Sequence, residues 1–211
     1  MKRTIDWPRF IQLYPSYLYD EIFVHNEYQV FEEDIVGKTV LDLGANVGMF
    51  SAKCIELGAK QIVAVEGQAS IYKNGLLFNM AQYYPLVVPM HNAVAASDDE
   101  MVYLPDNFVA SKISHVGDPV RTITLTSLLA LVKNDENVIL KIDIEGAEYE
   151  VIHTTNPDTL RQCEFIHMEL HPNGSSSSMY DLRNKLWCAG FEQAHSIWCG
   201  SGCEIDKWRR K

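Results

Sequence analysis

The hydrophobic residues of this chain form short continuous runs that alternate with longer amphipathic segments. The short runs are typical of strands buried on both faces of a parallel sheet, and they cover residues 39–43, 61–65, 86–95, 138–142 and 165–170. Apolar residues three or four positions apart predict helices over 50–57, 70–83, 126–132, 148–154 and 179–189, with Thr124 as an alternative start of the third. This alternation predicts a doubly wound α/β fold.

The end of the chain breaks the alternation. Residues 191–198 and 203–208 predict an antiparallel hairpin, which completes a seven-stranded sheet with one reversed strand and helices on both faces. Residues 101–104 predict a short further strand that pairs back. The aromatic-rich residues 1–36 predict a helical extension packed on the core, and residues 37–211 predict a single domain.

A glycine turn follows the first predicted strand. Gly44 and Gly48 remove side chains where the backbone bends and where a ligand would approach closely, and the next helix points its N-terminus at this turn. Glu66 ends the second strand at the same edge, where a carboxylate can accept both hydroxyl groups of a ribose. The pair therefore indicates an adenosine-type cofactor site. The alternative is a tight strand-to-helix turn with an incidental surface glutamate.

The spacing of the turn narrows the choice of cofactor. It is Gly-x-x-x-Gly after Asp42, and it lacks the third glycine of dinucleotide-binding turns. A negative charge at Asp42 suits a ligand that carries an ammonium group and a sulfonium. The segment Asp-x-Gly-Ala-Asn-x-Gly resembles motif I of S-adenosylmethionine-dependent methyltransferases.

Acidic residues follow the fourth predicted strand of the sheet. Asp143 and Glu145 lie two positions apart, and Glu148 falls in the first turn of the next helix, where it either serves the site or only caps the helix. Glu169 and His171 end the neighbouring strand. Because parallel strands end at the same edge of a sheet, we expect these groups to lie close together.

Several segments together resemble the FkbM family of methyltransferases, over about residues 30–171. They are the glycine turn, Thr-Ile-Thr-Leu-Thr-Ser-Leu-Leu, Lys-Ile-Asp-Ile-Glu-Gly-Ala-Glu and Glu-Phe-Ile-His-Met-Glu-Leu-His. The chain departs from the family pattern at Thr126, where aspartate is commoner, and at Gly67-Gln68, where proline is commoner. The resemblance implies a Rossmann-like class I methyltransferase fold, S-adenosyl-L-methionine as cofactor, and methyl transfer to a hydroxyl of a sugar, glycan or secondary metabolite.

Two sets of site residues follow from these patterns. The residues expected to bind the cofactor are Asp42, Gly44, Ala45, Asn46, Gly48, Glu66, Gly67, Asn92, Ala93 and Asp143. The residues expected to face the acceptor are Asp143, Glu145, Glu169 and His171. His171 or a carboxylate is a candidate general base, a divalent cation on Asp143, Glu169 and His171 is a second interpretation, and a polar cluster that only orders the loops is a third.

Charge and cysteine content restrict the partners. The net charge is −10, which argues against a nucleic-acid backbone as the main partner. The five cysteines include no Cys-x-x-Cys, and Cys199 and Cys203 are too sparse for a zinc site without nearby partners, so we expect reduced thiols in a cytoplasmic protein. We expect no signal peptide and no membrane span, and either a monomer or a homodimer.

Two other classes of protein stay open from the sequence. One is a nicotinamide-dependent oxidoreductase on a similar sheet, which the missing third glycine disfavours. The other is a binding module that keeps the fold without catalysing transfer.

Overall fold

A seven-stranded sheet forms the centre of the molecule. The computed structural model describes residues 3–7, 16–105, 116–132, 137–172, 178–199 and 202–211. The strands lie in the order β3-β2-β1-β7-β8-β10-β9, and their bounds are β1 Thr39–Leu43, β2 Gln61–Glu66, β3 Val87–His91, β7 Val138–Ile142, β8 Cys163–Leu170, β9 Phe191–Trp198 and β10 Glu204–Arg210. The prediction of seven strands with a terminal hairpin is confirmed.

The direction of the strands follows the connections between them. Strand β1 pairs in parallel with both β2 and β7, so the strand order reverses beside β1. Strand β10 runs antiparallel to both β8 and β9. Ligands of open α/β sheets bind where the strand order reverses, at the carboxyl ends of the strands. That position lies between the turn after β1 and the acidic residues after β7.

A second, three-stranded sheet was not predicted. Strands β4 (Ala93–Val94), β6 (Asp118–Ile123) and β5 (Met101–Leu104) form it, with β6 in the middle. The predicted strand 86–95 was therefore wrong in its length, because it divides at Asn92 into β3 and β4. The Asn92 amide donates a hydrogen bond to the carbonyl of Arg121 at 3.3 Å, beside the first residue of β4.

Helices flank the sheet. Their described bounds are α1 Ser16–Tyr19, α2 Glu32–Ile35, α3 Met49–Glu56, α4 Ala69–Ile71, α5 Leu77–Met80, α6 Leu125–Leu131, α7 Glu148–Thr154, α8 Pro157–Leu160 and α9 Met179–Cys188. The predicted helix 70–83 is helical, but a π-helical turn at Tyr72–Leu76 separates α4 from α5 and a 3₁₀ turn ends it. Another π-helical turn continues α1. The Thr124 side chain caps α6, as the alternative start of that helix predicted.

The core lies on both faces of the sheet. One face packs Val40, Ile62 and Phe50, and the buried Ile22, Tyr28, Val30 and Ile35 of the N-terminal segment join the same cluster. The other face packs Leu41, Val63 and Leu140 against α6, α7 and α9. Within the described residues, we find no helix with the length and apolar character that crossing a membrane requires.

Candidate active site

The glycine turn is built by close contact between two loops. Gly44 has φ +73°, and a Cβ there would lie 1.7 Å from the carbonyl oxygen of Asp143. At Gly48, which has φ +88°, a Cβ would lie 2.7 Å from Cε of Met80. Both glycines are therefore explained by the packing of the protein on itself, and the expectation that they make room for a ligand stays a prediction.

Glu66 organises the turn from the next strand. Its carboxylate accepts hydrogen bonds from the backbone amides of Asn46, at 2.9 Å, and Gln68, at 2.7 Å. Burial raises the pKa of Glu66, and these two hydrogen bonds oppose the rise. Each carboxylate oxygen can accept more than one hydrogen bond. Glu66 can therefore hold the turn and still accept from ribose hydroxyls at the same edge.

The other predicted cofactor residues surround this turn. Ala45 is buried within it, and Gly67 follows Glu66. Ala93 is buried in the small sheet, so it offers a ligand little surface. Sequence reasoning missed His91, which pairs with Glu66 in the sheet, donates a hydrogen bond from Nε2 to the Gly67 carbonyl at 3.0 Å, and stacks on Tyr72 at 4.9 Å. This stacked pair offers a flat surface beside Glu66.

Asp42 lies beneath the turn. It is fully buried, accepts a hydrogen bond from Ser51 at 2.6 Å, and has an oxygen 3.6 Å from Nζ of Lys141. Lys141 also donates to the Gly44 carbonyl at 2.8 Å and lies 3.2 Å from Asp143. Although burial alone would lower the pKa of Lys141, the charges of Asp143 and Asp42 raise it above its usual value. The charge of Asp42 is therefore matched by Lys141, a residue that the sequence analysis did not single out.

His171 lies at the centre of the acidic residues. Its Nε2 is 3.5 Å from Glu145, 3.6 Å from Glu169 and 3.9 Å from Asp143. The structure therefore brings together all four residues that were expected to face the acceptor. Glu145 reaches His171 from a turn with φ +58° rather than from an extended strand, because β7 ends at Ile142.

Glu148 holds the loop after β7 and contacts His171, and its role in the site stays a prediction. It is fully buried, and its Oε1 accepts from the backbone amides of Ile144, at 2.9 Å, and Gly146, at 3.1 Å. The same oxygen lies 3.0 Å from Nδ1 of His171. With Nδ1–H donated to Glu148, the imidazole presents Nε2 to the other three carboxylates.

The crowding of negative charge shifts the titration of the cluster. Burial alone would lower the pKa of His171, but the hydrogen bond and charge of Glu148 and the charge of Asp143 raise it to about 9. Burial raises the pKa of Glu145 to about 7, against the opposing charge of His171. Burial and the charge of Asp143 also raise the pKa of Glu169. An imidazole that keeps its proton at neutral pH is a poor proton acceptor.

Tyr28 is a site residue that sequence reasoning missed. It is buried, and its hydroxyl lies 3.2 Å from both Oδ2 of Asp143 and Oε2 of Glu169. Burial, and then the charges of these two carboxylates, raise the pKa of Tyr28 well above its usual value. The hydroxyl therefore stays protonated and links the ends of β7 and β8. Only its position in an aromatic-rich segment hinted at a role.

A cleft of about 370 Å³ opens beside this cluster. Its walls come from the N-terminal segment, the end of β8 and the end of β9, and are formed by Tyr17, Asp20, Glu21, His25, Glu27, Glu169 and Cys199. Burial, and then the charges of Glu169 and Asp143, raise the pKa of Glu21 to about 7. Residues 106–115 and 173–177, which are rich in polar side chains, lie outside the described residues.

The fold and the site define a class of enzyme. A doubly wound sheet ending in a reversed hairpin carries a glycine turn, an acidic residue at the end of β2 and an acidic cluster at the ends of β7 and β8, which together characterise S-adenosylmethionine-dependent methyltransferases. The chain belongs to the methyltransferase FkbM domain family, whose model matches residues 42–192. It is therefore an S-adenosylmethionine-dependent methyltransferase, and the expected cofactor is confirmed at the level of the family.

Solved structures agree on the fold. The METTL16 MTase domain superposes with a TM-score of 0.53 at 13% identity, over 98% of this chain and 71% of that one. Streptococcus pneumoniae Sp1610 in complex with S-adenosyl-L-methionine gives 0.52 at 12% identity, over 84% and 68% of the two chains. A Streptococcus agalactiae protein of the NADB-Rossmann superfamily gives 0.52 at 12% identity, over 89% and 67%. None of the curated proteins compared with this chain matches it significantly.

Proposed function

We propose that this methyltransferase transfers the methyl group of S-adenosyl-L-methionine to a hydroxyl oxygen of a small-molecule or glycan acceptor. One observation carries the proposal. The turn after β1 and the acidic cluster after β7 are in contact at Asp143, because Gly44 packs against the Asp143 carbonyl while the Asp143 carboxylate belongs to the cluster. A sulfonium held at the turn would therefore lie next to the acidic face.

In this proposal, each residue on the cofactor side of the site has a separate role. Glu66 accepts the ribose hydroxyls, and the amides of Asn46 and Gln68 hold its carboxylate in place. The stacked pair of Tyr72 and His91 borders the same edge. Asp42 and Lys141 support the turn from below, and Asp143 supplies negative charge near the sulfonium.

The acceptor side has to orient the hydroxyl and take its proton. Methyl transfer needs the acceptor oxygen in line with the carbon–sulfur bond, and holding two reactants in that geometry supplies much of the rate. As the new carbon–oxygen bond forms and the carbon–sulfur bond breaks, the hydroxyl proton leaves. Asp143 and Glu145 are the proposed acceptors of that proton, since both flank His171 at the rim next to the turn.

The charge of the cleft supports a small acceptor over a nucleic acid. Asp20, Glu21, Glu27 and Glu169 line it, so an approaching phosphate backbone would meet negative charge. A neutral hydroxyl compound would not be repelled by these carboxylates. The volume of about 370 Å³ also falls within the range of small-molecule sites, roughly 300–1,000 Å³.

Calorimetry on a variant at Glu66 tests the cofactor half of this proposal. Glu66→Ala should weaken the binding of S-adenosylhomocysteine by roughly 10- to 100-fold, because two ribose hydrogen bonds to a charged group are lost. Glu192→Ala, on the exposed part of β9, is the matched control and should bind as the unmodified protein does. Equal binding by both variants contradicts the role of Glu66.

The acceptor half is tested by activity. The protein is incubated with methyl-labelled cofactor and a panel of sugars, glycans and hydroxylated metabolites, and with RNA as a separate arm. We expect label in a hydroxyl compound. Label that appears only in RNA would refute the proposed acceptor class and leave the methyltransferase assignment intact.

A further inference from the structure

The turn between β9 and β10 brings two thiols to the acidic side of the site. The backbone amide of Cys199 donates to the carbonyl of Cys203 at 3.0 Å, directly beyond the pair of Trp198 and Glu204. Residues that oppose each other on antiparallel strands project their side chains from the same face. Cys199 Sγ lies 3.9 Å from Oε1 of Glu169.

Cys203 completes a compact set of donor atoms. Its Sγ, a ring nitrogen of His171 and a carboxylate oxygen of Glu169 all lie within 4.8 Å of one another. The sequence analysis found no zinc ligands next to these two cysteines in the chain. The fold brings Glu169 and His171 to them from the end of β8, more than 25 residues earlier in the chain.

The imidazole and the carboxylate of this set are both oriented from behind. His171 directs Nδ1 to the fully buried Glu148 at 3.0 Å, which leaves Nε2 for another partner. Tyr28 lies 3.2 Å from Oε2 of Glu169, which leaves Oε1. The two remaining atoms, Nε2 of His171 and Oε1 of Glu169, are 3.6 Å apart. Such outer hydrogen bonds are what fix the ligands of metal ions in proteins.

We propose that Cys199, Cys203, His171 and Glu169 bind one zinc ion. Bond lengths of about 2.0–2.3 Å in a tetrahedral site place the ligand atoms roughly 3.3–3.8 Å from one another. Glu169, His171 and Cys203 already hold their donor atoms within 4.8 Å of one another, with 3.6 Å between Oε1 and Nε2. Cys199 stands outside that set, 3.9 Å from Oε1 of Glu169, so its side chain has to rotate toward the other donor atoms to fill the fourth position. Two sulfur atoms, one nitrogen and one oxygen suit zinc, whereas magnesium and calcium prefer oxygen ligands throughout.

The surroundings of the four ligands favour a cation. The carboxylates of Asp143 and Glu145 lie 3.9 Å and 3.5 Å from Nε2 of His171. When zinc binds, the two thiols and Nε2 release their protons to solvent as the sulfur–metal and nitrogen–metal bonds form. With all four positions filled by protein, the site is closed and structural, and it ties the β9–β10 turn to the end of β8 beside the cleft. The inference concerns metal binding and does not rest on the proposed acceptor.

A cobalt titration tests the zinc site. The full-length protein, reduced with a phosphine and stripped of metal with a chelator, is titrated with Co²⁺. We expect a sulfur-to-cobalt charge-transfer absorption that saturates at one equivalent and is lost on adding Zn²⁺. Cys203→Ser and Cys199→Ser should each lose most of this absorption, and Cys199, the less buried residue, keeps the test usable if Cys203→Ser fails to fold.

Two further variants sharpen the result. Cys188→Ser, at the exposed cysteine that ends α9, should retain the absorption in full. Glu148→Gln should weaken cobalt binding by roughly 10- to 100-fold, because it changes the group that orients His171. Absence of the thiolate absorption, or absorption that neither Cys199→Ser nor Cys203→Ser reduces, overturns the proposal. Binding of Mn²⁺ that is indifferent to both cysteine variants would likewise overturn it in favour of an oxygen-ligand site.

Calorimetry with S-adenosylhomocysteine on the same preparations separates the two hypotheses. Protein that binds this nucleoside without binding cobalt at its thiols refutes the zinc site alone. Protein that binds cobalt through thiols without binding the nucleoside refutes the proposed cofactor site alone.

Discussion

At the scale of single residues, two glycines with nearly the same backbone conformation are required for different physical reasons. Gly37 has φ +74° with open space where a Cβ would be, whereas Gly44 has φ +73° with the Asp143 carbonyl at 1.7 Å from that position. A left-handed conformation costs an L-residue roughly 1–2 kcal/mol. Gly44 therefore carries a steric requirement in addition to the conformational one.

Alanine at these two glycines separates the two requirements. Gly37→Ala should lower the free energy of unfolding by roughly 1–2 kcal/mol. Gly44→Ala should lower it by about 1–3 kcal/mol more, because the loop after β7 must move away. Denaturant unfolding measures both, and equal losses would show that the Asp143 contact is easily relieved.

At the scale of elements, a buried lysine joins β1 to β7. Lys141 and Asp42 are register partners on these strands, and Lys141 also reaches the Gly44 carbonyl and Asp143. Removing one member of a buried ion pair leaves a charge without compensation. This group is consequently where the sheet, the glycine turn and the acidic loop depend on each other.

Replacing the buried lysine tests that dependence. Lys141→Met should destabilise the protein by about 3–5 kcal/mol, since Asp42 is left buried and unpaired. Adding Asp42→Asn should recover part of the loss. Lys38→Met removes a lysine from the more exposed pair with Glu164, at 2.8 Å, and should cost no more than about 1 kcal/mol. Unfolding curves of these three variants and of Asp42→Asn alone decide, and a strictly additive double variant would contradict the pairing.

The N-terminal segment contributes to the site as an element of its own. The Tyr28 hydroxyl contacts Asp143 and Glu169, which lie 115 and 141 positions farther along the chain. Tyr28→Phe should leave the fold in place and lower the rate of methyl transfer by about 10-fold or more, because the linked carboxylates lose their common donor. Tyr83→Phe serves as the control. It removes another buried tyrosine hydroxyl, which accepts a hydrogen bond from the backbone amide of Asp6. Equal activities of the two variants would exclude a role for the Tyr28 hydroxyl.

At the scale of the whole molecule, the extension and the sheet share one core. Ile5, Ile22, Tyr28, Val30 and Ile35 are all buried in the cluster that covers one face of the sheet. Removing them would expose the apolar residues that they cover. The division into residues 1–36 and 37–211 stays a prediction about sequence regions, and we expect the two to fold together.

Thermal unfolding tests this cooperativity. The full chain should unfold in a single transition by circular dichroism and fluorescence, and a chain that begins at residue 37 should lack a cooperative transition. Coincident melting of both probes is the expected result. A truncated chain that melts as sharply as the full one would show that the extension is dispensable for the fold.

The sequence by itself determined the seven-stranded α/β sheet with its reversed terminal hairpin and the two segments at its rim that carry the predicted site residues. Those features depend on local patterns, such as the apolar runs of β1 and β7, the glycine spacing after Asp42, and Asp143, Glu145, Glu169 and His171 at strand ends. A buried strand and its turn are recognisable from neighbouring residues alone.

Only the tertiary structure decided what those residues meet. Four features join distant parts of the chain. They are the burial of Asp42 against Lys141, the contact of Tyr28 with the acidic cluster, the contact of Cys199 with Glu169, and the separate small sheet. Periodicity and spacing carry no information about such contacts, because a side chain finds its partner only after the strands and helices have packed.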